Sequence, residues 1–140
     1  MPVPHIVIHK PKVSLVGIPS IFQSASKKSG LSPQLIAAVV HVESRGKSNL
    51  VSSAGAIGPM QIMPTTANML GVNPYNTEQN IIGGSEYLAK LIRQFGNIKK
   101  ALIAYNEGPT ALAQGKVYTQ SVTYAKNVIR YESMENSTRS

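Results

Sequence analysis

The pattern of hydrophobic and polar positions changes near residue 19. Residues 1–19 combine four prolines with short β-branched runs, which predicts an extended arm. From residue 20 onward, apolar residues recur at helical spacing. Prolines at first helical positions, polar caps and glycines beyond the last turn set the ends of the helices. The predicted helices lie at about 20–29, 33–44, 59–63, 64–70, 77–96, 98–105 and 119–134.

The second of these segments predicts a buried central helix. Ser32 and Pro33 form an N-cap and first-turn pair, and the residues from Leu35 to Val42 are apolar nearly all round. No strand is convincing outside the arm, and no internal repeat occurs. The predicted fold is therefore all-α with little or no sheet. The chain divides into an arm (1–19), one helical domain (20–134) and a flexible tail (135–140).

The composition is compatible with one buried core. Leu, Ile, Val and Phe make up 36 of the 140 residues, a fraction above the range of disordered chains. Cysteine is absent, which excludes disulfides, thiolate metal sites and a cysteine nucleophile. The net charge of +8 indicates an anionic partner or substrate. All six acidic residues are glutamates, so carboxylate chemistry depends on a glutamate or on the chain terminus.

Glu43 is the most promising of these carboxylates. On a helix it shares a face with Ile36, Val39 and Val40, so it points along an apolar stripe. It also lies in the last turn, where the helix dipole disfavours a negative charge. Both effects raise its pKa toward that of a general acid. Helix geometry alone leaves open a glutamate that faces solvent or pairs with Arg45.

Several motifs follow Glu43-Ser44 in order along the chain. They are Ser52 with residues 55–67 (GAIGPMQIMPTTA), then Asn80-Ile81, Gly84 and Tyr87-Leu88, then residues 101–109 (ALIAYNEGP), and more weakly Tyr124 and Val128. Together they resemble the lytic transglycosylase domain of the soluble, lysozyme-like (SLT) family, which cleaves bacterial peptidoglycan. The chain departs from the family pattern at Gly46, where an aromatic residue is usual, at Glu107, where alanine is common, and at Gln120-Ser121, where an acidic-Thr pair is common.

The resemblance implies a lysozyme-like fold and a carbon-oxygen lyase that acts without a cofactor or metal. Glu43 would be the single catalytic residue, cutting the bond between N-acetylmuramic acid and N-acetylglucosamine with formation of a 1,6-anhydro end. The residues implied to contact substrate or orient Glu43 are Ser52, Met60, Gln61, Tyr105, Asn106 and Tyr124. Met60 and Tyr105 have core packing as their alternative role, and Tyr124 has packing along the last helix.

Other functions compete with this interpretation. Glu107 as a second carboxylate would make the protein a hydrolase like the goose-type lysozymes, whereas a solvated Glu107 would have no such role. A non-catalytic glycan-binding or assembly protein would keep the fold without turnover. Dedicated nucleic-acid binding is disfavoured because Lys27-Lys28 and Lys99-Lys100 are isolated pairs. The histidines His5, His9 and His41 do not form a metal-binding pattern.

The expected partner is the peptidoglycan glycan strand, and the arm is a candidate docking segment for a virion or envelope machine. No apolar run reaches the length of a transmembrane helix, and the start at Met1 does not resemble a signal peptide. Three routes to the wall remain open. The protein travels with a bacteriophage particle and acts on the periplasmic wall, which the sequence favours, or it is an exported bacterial enzyme. The third route is that of a phage lysis enzyme that reaches the wall through a holin.

Overall fold

The computed structural model describes residues 19–137, and the predicted arm up to residue 18 lies outside that range. Within it the chain forms seven α-helices and no sheet, which confirms the predicted all-α class. The helices are α1 (Pro19–Ser29), α2 (Pro33–Ser44), α3 (Pro64–Leu70), α4 (Thr77–Phe95), α5 (Ile98–Glu107), α6 (Pro109–Ala113) and α7 (Thr119–Ser137).

Helix α2 is the central helix that the sequence predicts. The Ser32 side chain accepts a hydrogen bond from the Leu35 N–H, and Pro33 occupies the first turn. The helix is buried on nearly every side over its first two turns, from Pro33 to Val40. It packs on α1 and along α7. Because α2 carries Glu43 in its last turn, this packing places the glutamate beside Tyr124 of α7.

Helix α4 holds the loop that follows α2. Asn80 is fully buried: its Oδ1 accepts from the Met60 N–H at 2.8 Å, and its Nδ2 donates to the carbonyls of Ile57 and Pro74. One turn later, Gly84 lies against the Met60 side chain so closely that a Cβ would approach its sulfur to 2.7 Å. These contacts explain why Asn and Gly stand at those positions of the long helix.

Helices α5 and α7 complete the core. They pack on one another, α5 also packs on α4, and α7 on α2. The buried face of α7 comprises Ser121, Tyr124, Ala125 and Val128, which recur at helical spacing. Tyr124 therefore points inward to the same region as the end of α2.

Three details of the sequence prediction are wrong. Residues 59–63 are not a helix: Ile57 and Ile62 pair in an antiparallel bridge, and Gly58 and Gln61 between them have positive φ. Helix α7 continues to Ser137 rather than ending at Met134, and within it Tyr131 stacks on His41 of α2 with ring centroids 3.8 Å apart. The short helix α6 was not expected, although Pro109 suits a first helical position.

Candidate active site

Glu43 lies in the last turn of α2 with its carboxyl mostly withdrawn from solvent. Burial raises the pKa of Glu43 from its ordinary value to about 7, and an interaction with the Tyr124 hydroxyl opposes this by lowering it. Arg45 follows the helix in a left-handed conformation and is exposed, so it does not neutralise the glutamate. A carboxyl with a pKa near 7 can donate and accept a proton at neutral pH.

Two phenols lie beside this carboxyl. Burial raises the pKa of both Tyr105 and Tyr124 well above the ordinary value, and the negative charge of Glu43 raises each further. The Tyr105 hydroxyl donates to the Met60 carbonyl at 2.7 Å, so it is already committed. The Tyr124 hydroxyl is fully buried, makes no well-formed hydrogen bond within residues 19–137 and has Glu43 as its polar neighbour. It is therefore the group placed to donate to a charged Glu43.

The turn from Ile57 to Ile62 presents Gln61. Gln61 has a φ of 51°, and its Nε2 donates to the carbonyls of Gly58 at 2.9 Å and Leu50 at 3.1 Å. These bonds fix the amide plane and leave Oε1 as an acceptor. A non-glycine residue seldom adopts this conformation, and the two bonds of its amide hold Gln61 there.

Met60 is not on the surface of this turn. Its side chain is fully buried, packed against Gly84 and approached by the Ser85 hydroxyl. The side chain belongs to the core, because α4 leaves space for it at Gly84, and the expected contact of the Met60 neighbourhood with substrate stays a prediction. Met60 serves the site through its backbone, whose carbonyl holds Tyr105.

A cleft of about 240 Å³ opens beside these residues. It is lined by Gln61, Ile62, Met63, Thr66, Tyr87, Tyr105, Asn106, Glu107, Gly108 and Pro109. Glu43 is not part of the lining. Tyr105 connects the two, because its ring lines the cleft and its phenol is close enough to feel the charge of Glu43.

The cleft includes residues that sequence reasoning did not assign to substrate. Tyr87 comes from α4, and its ring tilts against that of Tyr105 with centroids 5.7 Å apart. Met63 is exposed by 41 % and provides an apolar surface. Both stand within motifs of the family resemblance, and that position was the only signal that could have identified them.

Asn106 and Glu107 end α5 at the far wall of the cleft. The Asn106 Oδ1 accepts from the Ser121 hydroxyl of α7 at 2.9 Å, which leaves Nδ2 free to donate. The Glu107 Oε1 accepts from the Tyr118 N–H at 3.0 Å, while Oε2 is buried and has no partner within residues 19–137. Both side chains thus bridge α5 to the start of α7.

Ser52 lies in the loop between α2 and the Gln61 turn. Its hydroxyl oxygen accepts from the Ala56 N–H at 3.0 Å, a bond within its own loop. The hydroxyl proton remains available to another acceptor, so the orientation of Glu43 by Ser52 stays a prediction. The part of the chain that the structure describes contains no group of His or Glu residues able to hold a metal ion. None of its helices is long and apolar enough to cross a membrane.

Known proteins share both the sequence pattern and the fold. A family profile described as the Transglycosylase SLT domain matches residues 20–135. A protein named Transglycosylase from Enterobacteria phage PRD1 is 44 % identical over 86 residues, which cover 61 % of this chain and 32 % of that protein. Membrane-bound lytic murein transglycosylase F from Desulfosudis oleivorans is 36 % identical over 96 residues, covering 63 % of this chain and 21 % of that protein. The chain spans about a third or less of the length of these curated relatives.

Solved structures agree with these relatives. The 70 kDa soluble lytic transglycosylase from Escherichia coli superposes with a TM-score of 0.76 at 25 % identity, covering 86 % of this chain and 24 % of that one. An inactive mutant of the lytic transglycosylase Slt from Pseudomonas aeruginosa, at 24 % identity and a TM-score of 0.74, shares the fold over 87 % of this chain and 24 % of its own. Because the profile match covers most of the described helices, the chain belongs to the Transglycosylase SLT domain family.

Proposed function

We propose that this chain is a peptidoglycan lytic transglycosylase with Glu43 as its single acid and base. The observation that carries the proposal is the Glu43 carboxyl, whose pKa burial raises to about 7 between two buried phenols and next to a cleft. The lytic transglycosylases among the relatives support the same reaction class.

In the proposed reaction the protonated Glu43 gives its proton to the oxygen that leaves the anomeric carbon of N-acetylmuramic acid. The substrate's own N-acetyl group stabilises the electron-poor carbon. The C6 hydroxyl then attacks that carbon and passes its proton back to Glu43, which closes the 1,6-anhydro ring and restores the acid. No water is consumed. A carboxyl that must first donate and then accept works best with a pKa near the working pH.

The neighbouring residues have complementary parts in this proposal. The free Nδ2 of Asn106 is available to the N-acetyl oxygen, and Oε1 of Gln61 to a sugar hydroxyl. The Tyr124 hydroxyl stabilises the charged form of Glu43 between the two proton transfers. The rings of Tyr87 and Tyr105 offer apolar faces to the sugars in the cleft.

The test is digestion of purified peptidoglycan, with the released muropeptides analysed by mass spectrometry. Products with 1,6-anhydro ends, about 18 Da lighter than reducing ends because one water is missing, are expected. Glu43→Gln should lower turnover at least about a hundredfold, because it removes the acid, and should leave glycan binding intact. Glu86→Gln, at an exposed position of α4, is the matched control.

The same digestion distinguishes the competing functions. Reducing ends would mean that water attacks the sugar, as in a goose-type lysozyme, and Glu107 would then be the first candidate for the second carboxylate. Glycan binding without any product from the unaltered chain would make it a non-catalytic glycan-binding or assembly protein. Either outcome would overturn the proposal.

We further propose that the protein opens the cell wall locally, in the periplasm. The named phage relative supports a role in a bacteriophage particle, and the bacterial relatives support the alternative of an exported enzyme. Mass spectrometry of purified phage particles and of bacterial periplasmic extracts would distinguish these two roles, since only a virion component copurifies with particles at fixed stoichiometry.

A further inference from the structure

The start of α7 lacks a cap from its own sequence. The Tyr118 carbonyl accepts from the N–H groups of Ser121 at 3.0 Å and Val122 at 3.1 Å, so Tyr118 is the N-cap residue. A tyrosine side chain cannot provide the short polar cap that Ser, Thr, Asp or Asn provides at this position. The Tyr118 N–H is satisfied from another helix, by Oε1 of Glu107 at the end of α5.

This arrangement resembles a capping box divided between two helices. In a capping box, a Glu at the third helical position reaches back to the N–H of the N-cap residue. The third position of α7 is Ser121, whose hydroxyl is instead bound to Oδ1 of Asn106. Glu107 therefore does from α5 what a glutamate of α7 would otherwise do, because its Oε1 accepts from the N–H of the N-cap residue.

The capped turn leads directly to the site. Ser121 and Tyr124 are three residues apart on the buried face of α7, so they lie on adjacent turns of one surface. Tyr124 in turn faces Glu43. A change in the position of the first turn of α7 would move the Tyr124 hydroxyl relative to the carboxyl that it serves.

We propose that Glu107 is a positioning residue that fixes the N-terminus of α7 and, through it, the placement of Tyr124 against Glu43. The proposal rests on the proposed function of Glu43. It also separates Glu107 from a direct role in water activation, because Oε1 is bound to Tyr118 and Oε2 is enclosed. The substitution that distinguishes these roles is Glu107→Gln, since an amide oxygen still accepts from an N–H but is a poor base.

The first experiment compares Glu107→Ala, Glu107→Gln and the exposed control Glu86→Ala on purified glycan strands. Removing a helix cap shifts equilibria by about five- to tenfold. We expect Glu107→Ala to lower kcat by about that factor with little change in KM, and Glu107→Gln to recover most of the loss. Equal losses in the two Glu107 variants would overturn the proposal, because the amide retains the cap.

The second experiment asks whether the effect passes through Tyr124. Tyr124→Phe removes the hydroxyl that lowers the pKa of Glu43, so the loss of activity at alkaline pH should move to higher pH. As a single substitution, Glu107→Ala should also move the alkaline loss of activity to higher pH. Added to Tyr124→Phe, it should not move that loss any further. Independent, additive shifts would show that Glu107 does not act through Tyr124.

Amide hydrogen exchange supplies a readout that does not depend on activity. Exchange of the Tyr118 N–H, which donates to Glu107, and of the Ser121 and Val122 N–H groups, which donate to the Tyr118 carbonyl, should speed up several-fold in Glu107→Ala and remain slow in Glu107→Gln and Glu86→Ala. Unchanged exchange in Glu107→Ala would overturn the proposal that Glu107 fixes the N-terminus of α7, even if activity falls. The two proposals can fail separately. If the unaltered chain yields no anhydro product, the proposed function of Glu43 is wrong, whereas hydrogen exchange still tests whether Glu107 caps α7.

Discussion

At the scale of single residues, the most consequential property of the molecule is the burial of Glu43. The carboxyl keeps its proton in the folded state up to a pH of about 7, whereas in the unfolded chain it ionises near its ordinary value of 4.5. Between these two values the unfolded chain binds fewer protons than the folded one. The free energy of unfolding therefore falls as pH rises from 4.5 to 7.

Replacing Glu43 with Gln should remove this pH-dependent cost. The rise of the Glu43 pKa from 4.5 to about 7 corresponds to about 3 kcal/mol of lost stability above pH 7. We expect Glu43→Gln to be more stable than the unaltered chain by up to that amount at pH 8, and the gain to shrink as the pH falls to 4.5. Urea unfolding of both proteins at several pH values measures this, with Glu86→Gln as control. A gain that does not vary with pH would contradict the burial of the carboxyl.

The same proton sets the pH dependence of the reaction. The proposed reaction begins with protonated Glu43, and above its pKa of about 7 each pH unit lowers the protonated fraction about tenfold. We expect kcat/KM on glycan strands to decline above pH 7 with a slope approaching one. A decline beginning near 4.5 would mean that burial does not raise the pKa of Glu43 in the working enzyme.

At the scale of elements, the Gln61 turn depends on one side chain of α4. Asn80 donates to the carbonyls of Ile57 and Pro74 and accepts from the Met60 N–H, all in a fully buried environment. Asn80→Ala would leave these groups unsatisfied. We expect a loss of about 2–4 kcal/mol in the free energy of unfolding, measured by urea denaturation. The matched control is Asn97→Ala, which removes a single exposed cap and should cost only about 1 kcal/mol. Equal losses would show that the turn is held elsewhere.

The helices also show which parts of the fold can be predicted from the sequence. The start of α2 can be predicted from Ser32 and Pro33, and its length from the apolar run that follows them, because capping and burial patterns are local properties of the sequence. The prediction of a helix at 59–63 is wrong for a non-local reason. Asn80 and Gly84, some twenty residues away, bind the Met60 backbone and receive its side chain, and so stabilise a turn with Gln61 at positive φ. The bonds from α5 to α7 are likewise invisible in a linear pattern.

At the scale of the whole molecule, the site is assembled from segments far apart in the chain. Glu43 comes from α2, Gln61 from the turn that α4 holds, Tyr105 from α5 and Tyr124 from α7. One core therefore positions every group, and no segment could provide the site by itself. The net charge of +8 belongs to this scale too, because it acts through the field of the entire surface.

Association with an anionic cell wall should therefore depend on salt. Lys99 and Lys100 are exposed in the first turn of α5, where positive charge opposes the helix dipole. Changing both to Glu lowers the net charge by four and should stabilise that turn, so weaker binding could not be attributed to unfolding. We expect the double variant to sediment less with sacculi at low salt and to lose less binding as salt rises, because salt screens exposed charges. Replacing both with Arg keeps the charge and should bind as the unaltered chain does. If the Glu and Arg variants bound sacculi equally, the charge of this turn would not guide the protein to the wall.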